Sequence, residues 1–232
     1  MNELISIIVP VYNEAATVAA VIDRLQQIQL PAPSEIIVVN DGSSDATQTV
    51  LDALPRAPNV TIVHTEVNRG KGHAIRQGLR ASRGTIIAIQ DADLELDPAQ
   101  IADLAVPILS GEARVVYGSR FLAGRPEAPA LTLAANRFLT ALTNVLYRSS
   151  LTDMETCYKI MRGDVARALD LRADRFDIES EIASKLLLAG HEIVERPVRF
   201  TPRSRAAGKK IGWRDGLVAI GVLVRLRLSR SG

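Results

Sequence analysis

The chain has 232 residues, of which 47% are hydrophobic and 23% are charged, and this composition predicts one globular domain with a full apolar core. Its net charge of +2 gives no indication of nucleic-acid binding. The only cysteine, Cys157, excludes an internal disulfide bond and fits a reducing compartment.

In the first half of the chain, short apolar runs alternate with helical patterns. The runs are continuous and β-branched, as is typical of strands buried on both faces, and they cover residues 4–9, 35–39, 60–64, 85–89 and 114–118. Helical spacing lies between them; one helix is expected after Pro98, and Asn13 and Ser43 or Ser44 are expected as N-caps. This alternation predicts an α/β fold with a mostly parallel central sheet flanked by helices.

After Arg120 the alternation of strands and helices gives way to a different pattern. The predicted elements are a loop at 121–129, an amphipathic helix at 131–147, a helix at 178–189, an edge strand at 192–200 and a last helix at 213–228. Pro197 places the late strand at an edge because it cannot donate a ladder hydrogen bond. The last helix mixes apolar residues with cations, so it either packs on the core or lies on an anionic membrane.

Four polar segments follow predicted strands, at residues 10–14, 40–45, 68–72 and 91–95. Each alone is ordinary turn or helix-entry chemistry. Open α/β sheets bind their ligands at the carboxyl ends of the strands, so we expect the four segments to meet there. Their occurrence as a set predicts a ligand site.

Asp91 and Asp93, in the last of these segments, have the spacing of a metal site. Two carboxylates separated by one residue can hold Mg²⁺ or Mn²⁺ together with a diphosphate, and Glu95 could supply a third oxygen. The cation would neutralise charge on a departing nucleoside diphosphate. The sequence has no Cys/His cluster for zinc, no G-x-G-x-x-G after the first strand and no P-loop, which disfavours NAD, FAD and P-loop ATPase functions.

With these motifs in order, the sequence resembles the family 2 glycosyltransferases of the GT-A (nucleotide-diphospho-sugar transferase) fold. It is most similar to their polyprenyl-phosphate sugar synthases, of which dolichyl-phosphate mannose synthase is typical. The resemblance covers essentially the whole chain. The matching segments are VPVYNE (9–14), VVNDGSSD (38–45), NRGKGHAIRQG (68–78), QDADLELDP (90–98), YGSRF (117–121), DMETCYKIMR (153–162) and GKKIGWRDG (208–216).

The resemblance implies roles for residues that bind the donor. Pro10, Tyr12 and Glu14 would contact the nucleoside, and Asp41 would hydrogen-bond the base or ribose. The donor diphosphate and its Mg²⁺ or Mn²⁺ would be held by a further set, namely Lys71, Asp91, Ala92, Asp93, Glu95 and Lys209, with Asp91, Asp93 and Glu95 as metal ligands. The family more often has glutamine at the position of Glu95.

On the acceptor side, the resemblance implies that Arg120 and Arg137 receive a phosphate. Arg203, Lys209 and Lys210 would lie on a loop that closes over the diphosphates, which makes Asp91, Asp93, Arg120 and Arg203 the expected catalytic residues. Asp153 and Glu155 would line the acceptor pocket, or act as a base if the acceptor is a hydroxyl.

The implied function is inverting transfer of mannose or glucose from GDP-mannose or UDP-glucose to a polyprenyl phosphate. A lipid phosphate is already an anion and can attack without a base. Within a single catalytic domain, residues 1–118 would bind the nucleotide sugar, 119–210 the acceptor, and 211–232 would form a basic amphipathic helix. Two alternatives stay open: transfer to a soluble hydroxyl, and nucleotidyl transfer.

The same resemblance implies contact with a membrane surface. The opening residues lack the basic start of a signal peptide, and the longest apolar run near the end, 217–224, is far shorter than the ~20 residues that span a bilayer. We therefore expect a cytoplasmic protein, peripheral to the membrane.

Overall fold

A computed structural model describes residues 3–124, 126–202 and 213–229. The strands in these residues are β1 (Ile5–Val11), β2 (Ser34–Asp41), β3 (Val60–Thr65), β4 (Ile86–Ile89), β5 (Val115–Ser119), β6 (Lys159–Arg162) and β7 (Val194–Pro197). The helices are α1 (Val18–Gln27), α2 (Thr47–Asp52), α3 (Lys71–Ala81), α4 (Gln100–Leu109), α5 (Ala130–Tyr147), α6 (Gly163–Ala168), α7 (Ile178–Leu188) and α8 (Trp213–Ser229).

The strands form one seven-stranded sheet in the order β3-β2-β1-β4-β6-β5-β7. Only β6 runs antiparallel to its neighbours, so the predicted α/β fold with a mostly parallel sheet is confirmed. Helices cover both faces, which is why Ile5, Ile7 and Ile8 of β1 are all fully buried although they point to alternate sides.

The sequence predicted the strands of the first half well and one later strand not at all. β1 to β5 lie within two residues of the predicted runs, and β7 is the edge strand that Pro197 indicated, although it is shorter than predicted. The missed strand, β6, has only four residues and begins with Lys159, which is fully buried. A lysine is rarely found inside a sheet unless it is paired, and its pairing could not be read from the sequence.

The predicted N-caps were wrong. α1 begins after Thr17 and α2 after Ala46, so neither Asn13 nor Ser43 or Ser44 caps a helix. Asn13 instead adopts a left-handed backbone conformation, with φ of 52°, which asparagine tolerates better than most residues. Its Oδ1 accepts a hydrogen bond from the Ser44 backbone at 2.8 Å, and this bond ties the loop after β1 to the loop after β2.

α8 packs on α5 and α7 through a second, smaller apolar core. Ala219 and Leu223 of α8 are buried against Leu139 and Ala183. The Tyr147 hydroxyl donates to the Leu223 carbonyl at 2.7 Å. No helix in the described part of the chain is both long and apolar enough to cross a bilayer.

Candidate active site

The four polar segments are connected to one another at the carboxyl edge of the sheet by hydrogen bonds and one ion pair. Thr17 Oγ1 lies 3.0 Å from Glu14 Oε2 and 2.7 Å from the carbonyl oxygen of Ala92, so the loop after β1 contacts the Asp91–Asp93 segment. The loops after β2 and β3 also meet closely, because a Cβ on Gly42, where φ is +62°, would lie 2.4 Å from the Asn68 nitrogen. The predicted convergence of these segments is confirmed, with Pro10 and Tyr12 at the end of β1.

Asp41 organises the loop that leads into α3. Its carboxylate is buried, with hydrogen bonds from the backbone nitrogens of Arg69 (2.9 Å) and Gly70 (2.6 Å) and a 2.7 Å contact with His73 Nδ1. Asn68 Nδ2 also donates to it, at 3.1 Å. These contacts occupy the acceptor positions of a carboxylate. The bond to a base or ribose that the resemblance implied would therefore require one of these donors to move aside.

The segment after β4 is held in place by buried polar side chains. Gln90 is fully buried; its Nε2 donates to the Asp91 carbonyl at 2.9 Å, and its Oε1 accepts from the Tyr158 hydroxyl at 2.6 Å. Leu94 has φ of 61°, an uncommon value for a non-glycine residue, and it turns the chain between Asp93 and Glu95. Sequence reasoning missed Gln90 and Tyr158 because neither residue carries a charge or stands in a known ligand pattern.

The donor atoms of Asp91 and Asp93 suit Mg²⁺ or Mn²⁺, which prefer hard oxygen ligands. Among the residues that the structure describes, no three His, Cys, Asp or Glu side chains are placed to hold a metal ion together. The role of Glu95 as a third metal ligand therefore stays a prediction. Two carboxylates still fit, since Mg²⁺ is commonly held by one or two carboxylates, with substrate phosphates and water completing its shell.

Lys71, the first residue of α3, lies beside Asp91. Its Nζ is 2.8 Å from Asp91 Oδ1 and also 2.8 Å from Oε1 of Glu179 on α7. Burial alone would raise the pKa of Asp91, but the Lys71 ammonium more than offsets this, so the pKa lies below its usual value. Burial acts to lower the pKa of Lys71, and Asp91 and Glu179 outweigh it and raise that pKa well above its usual value. Both groups are therefore charged at neutral pH.

Arg120, directly after β5, is clamped by Asp153. The fully buried Asp153 carboxylate accepts from Arg120 Nε and Nη2, both at 2.7 Å, and from the Arg120 backbone at 3.0 Å. Burial would lower the pKa of Arg120, but the hydrogen bonds and charge of Asp153 raise it. Both oxygens of Asp153 are engaged by Arg120, so Asp153 could act as the expected base or acceptor ligand only by releasing one of these bonds.

Glu155, two residues after Asp153, carries a carboxyl group with a raised pKa. Burial, then the nearby Glu179 carboxylate, raises the pKa of Glu155 to about 7, although Lys159 and Arg120 act in the opposite direction. Its Oε1 is buried and has no hydrogen-bond partner among the described residues. A carboxyl group with a pKa near neutrality can exchange protons at working pH.

Arg137 lies on α5 and is exposed, with its guanidinium 5.4 Å from the centroid of the Phe121 ring. Phe121 follows Arg120 in the chain, so the two predicted phosphate-binding arginines lie on neighbouring segments. Three other predicted residues, Arg203, Lys209 and Lys210, lie outside the described residues.

Two further charged residues, Glu179 and Lys159, were missed. Glu179 is buried in the first turn of α7, and its Oε2 accepts from the fully buried Lys159 Nζ. The sequence signal that could have identified Glu179 was its position, as an acidic residue next to Ile178, on the buried side of a mostly apolar helix. Its meaning depended on a partner in another element.

Comparison with known proteins places the chain among glycosyltransferases. A model of the family described as glycosyl transferase family 2 matches residues 6–169. Glycosyltransferase AglD of Haloferax volcanii is 28% identical over 208 residues, which cover 86% of this chain but 33% of that protein. Undecaprenyl-phosphate mannosyltransferase of Micrococcus luteus is 27% identical over 227 residues, which cover 93% of this chain and 90% of that protein. The chain thus spans about a third of the length of one relative and most of the other.

Solved structures show the same architecture. Glucosyl-3-phosphoglycerate synthase from Mycobacterium tuberculosis, in complex with Mn²⁺, uridine diphosphate and phosphoglyceric acid, superposes with a TM-score of 0.71 and 22% identity. The superposition covers 99% of this chain and 79% of that chain. At this identity the likeness establishes the fold, and it confirms the expected GT-A architecture.

Proposed function

The chain belongs to glycosyl transferase family 2, and from that premise we propose that it transfers a hexose, with inversion, from a nucleotide sugar to a polyprenyl phosphate. The observation that carries the proposal is the pair of charged sites at one sheet edge: Asp91 with Lys71 after β4, and Arg120 with Asp153 after β5. β6 separates the two strands, so the sites are ~10 Å apart along the sheet. That spacing suits two phosphate-bearing substrates.

In the proposed reaction, the bond between the anomeric carbon and the donor diphosphate breaks as a phosphate oxygen of the acceptor bonds to the opposite face of that carbon. Bound Mg²⁺ or Mn²⁺ would neutralise the charge of the departing diphosphate. Asp91 and Asp93 would hold that cation, Lys71 fixes Asp91, and Arg120 would orient the acceptor phosphate through its planar fork of donors. The protein thus contributes mainly position and charge compensation.

A transfer assay with radiolabelled GDP-mannose or UDP-glucose and a polyprenyl phosphate tests this proposal. With Mn²⁺ or Mg²⁺ present, we expect label in the organic phase from one of the two donors. Removing the metal with EDTA should abolish transfer, because the leaving diphosphate then keeps its full charge, and added metal should restore it. The absence of labelled lipid with both donors and both metals would reject the lipid-phosphate acceptor.

A hydroxyl acceptor is the second candidate, and Glu155 is the observation that favours it. With a pKa of about 7, Glu155 becomes a carboxylate as the pH rises through neutrality and could then deprotonate an alcohol. Offering phosphoglyceric acid in the same assay separates the two candidates. This second function requires a labelled water-soluble product whose rate increases as the pH passes about 7.

We also propose that α5 and α8 face the membrane that carries the acceptor. Among the described residues, seven of the ten exposed large apolar side chains lie on these two helices, namely Leu131, Phe138, Val145, Leu217, Val218, Val224 and Leu228. α5 contains no acidic residue, and α8 adds Arg225 and Arg227 near its end. Exposed apolar side chains combined with cations favour an anionic lipid surface.

Replacing both Phe138 and Val145 by serine is expected to reduce binding to anionic vesicles severalfold, because two of the most exposed apolar side chains of α5 are removed. Co-sedimentation with phosphatidylglycerol vesicles measures this. Val106→Ser is the matched control, since Val106 is 51% exposed but lies on α4. Equal binding of the double variant and the wild type would exclude α5 as the contact.

A further inference from the structure

Four charged side chains form a continuous row from Asp91 into the protein interior. Lys71 bridges Asp91 and Glu179 at 2.8 Å on each side, and Glu179 in turn accepts from Lys159. Side-chain exposure falls steadily along the row, from 28% for Asp91 to 13% for Lys71, 5% for Glu179 and 0% for Lys159. The row thus ends at the predicted metal ligand on one side and in the core on the other.

Each member of the row comes from a different element, and the inner end is tightly fixed. Lys71 begins α3, Asp91 follows β4, Lys159 begins β6 and Glu179 lies in α7. Lys159 also donates to the Thr156 carbonyl, and its Nζ lies 4.8 Å from the centroid of the Tyr117 ring. The Glu179 carboxylate is therefore held by Lys159 on its inner side, and it holds Lys71 on the side that faces Asp91.

Stability alone is a weak explanation for this row. Removing charges from water costs several kcal/mol per ion, and apolar side chains of similar volume often stabilise a core as well or better. A buried row that ends at a functional carboxylate has a second use, because outer partners orient metal ligands and tune their charge.

We propose that Glu179 and Lys159 are positioning residues for glycosyl transfer, which hold the Lys71 ammonium against Asp91 while sharing its charge between two carboxylates. Without Glu179, the whole charge of Lys71 would act on Asp91, and the charge of Lys159 would be uncompensated nearby. Both changes oppose the binding of a divalent cation at Asp91. This inference rests on the proposed metal-dependent function.

The test is direct Mn²⁺ binding, measured from the electron paramagnetic resonance signal of free Mn²⁺ in the presence of UDP and, separately, GDP. Glu179→Gln is expected to weaken Mn²⁺ binding about tenfold or more, the usual effect of losing an outer partner of a metal ligand. The double variant Glu179→Gln with Lys159→Met leaves no buried lysine unpaired, so it should show a smaller but still severalfold loss that comes from the undivided charge of Lys71 on Asp91, and it decides the matter if the single variant does not fold.

Glu35→Gln is the matched control. Glu35 is a buried carboxylate that accepts from Ser6 Oγ at 2.6 Å and from the Arg83 backbone at 2.7 Å, but it lies at the amino end of β2, away from the site. The Glu35→Gln substitution should leave Mn²⁺ affinity unchanged even if it lowers the melting temperature. If the folded Glu179 variants bind Mn²⁺ with wild-type affinity, this inference is overturned but the proposed function is not. Failure of the wild-type protein to bind Mn²⁺ with either nucleotide would overturn the proposed metal-dependent function and, with it, the inference.

Discussion

Replacing Asp93 by asparagine is expected to lower the rate of glycosyl transfer by about a thousandfold, a loss of roughly 4 kcal/mol of transition-state stabilisation. The substitution keeps the size and shape of the side chain but removes one of the two carboxylates proposed to hold the cation. The fold should survive, because Asp93 Oδ1 accepts the Glu95 backbone N–H at 3.1 Å and an amide oxygen can accept the same bond. Initial rates at saturating donor and acceptor, with melting curves in parallel, measure both effects.

Asp97→Asn provides the control within the same loop. The Asp97 side chain is exposed and accepts the Ala99 backbone N–H at 3.2 Å, so the same chemical change occurs a short distance along the chain, outside the proposed metal site. This variant should transfer at nearly the wild-type rate. If Asp93→Asn also kept full turnover and an unchanged dependence on metal, Asp93 could not be a ligand of the catalytic cation.

The fold was predictable where a pattern lies within one element. The apolar runs of β1, β2 and β4 are continuous because helices cover both sheet faces. Side chains that point to either face are therefore buried and apolar. β6 shows the limit of such patterns. Its first residue, Lys159, is buried with a partner on α7, and no local periodicity encodes a pairing between residues 20 positions apart.

The site divides in the same way. Asp91 and Asp93 could be proposed as metal ligands from the sequence because only one residue separates them, and two carboxylates so close in the chain can share one cation. The bond between Asp153 and Arg120 could not be predicted, since the two residues lie 33 positions apart in the chain. The resemblance implied that Asp153, together with Glu155, lines the acceptor pocket or acts as a base for a hydroxyl acceptor. In the structure, both of its oxygens accept hydrogen bonds from Arg120.

Replacing Arg120 by lysine is expected to lower kcat/KM for the polyprenyl phosphate about a hundredfold while leaving the KM for the nucleotide sugar nearly unchanged. Lysine keeps the charge, but it cannot make two parallel bonds to Asp153 while its remaining N–H groups point at a phosphate. Initial rates measured against each substrate separately give the two constants. A loss confined to the donor KM would place Arg120 at the donor instead.

Arg114→Lys is the control, because Arg114 pairs with Asp164 just before β5, where both side chains are largely exposed and such a pair contributes little. The variant Asp153→Asn then tests how Arg120 is held. If Asp153 acts only by fixing Arg120, adding Asp153→Asn to Arg120→Lys should cost much less than it costs in the wild type, because the interaction has already been broken. Fully additive losses would instead give Asp153 its own contact with the acceptor. Such a contact would require the buried carboxylate to release one of the two bonds that now clamp Arg120.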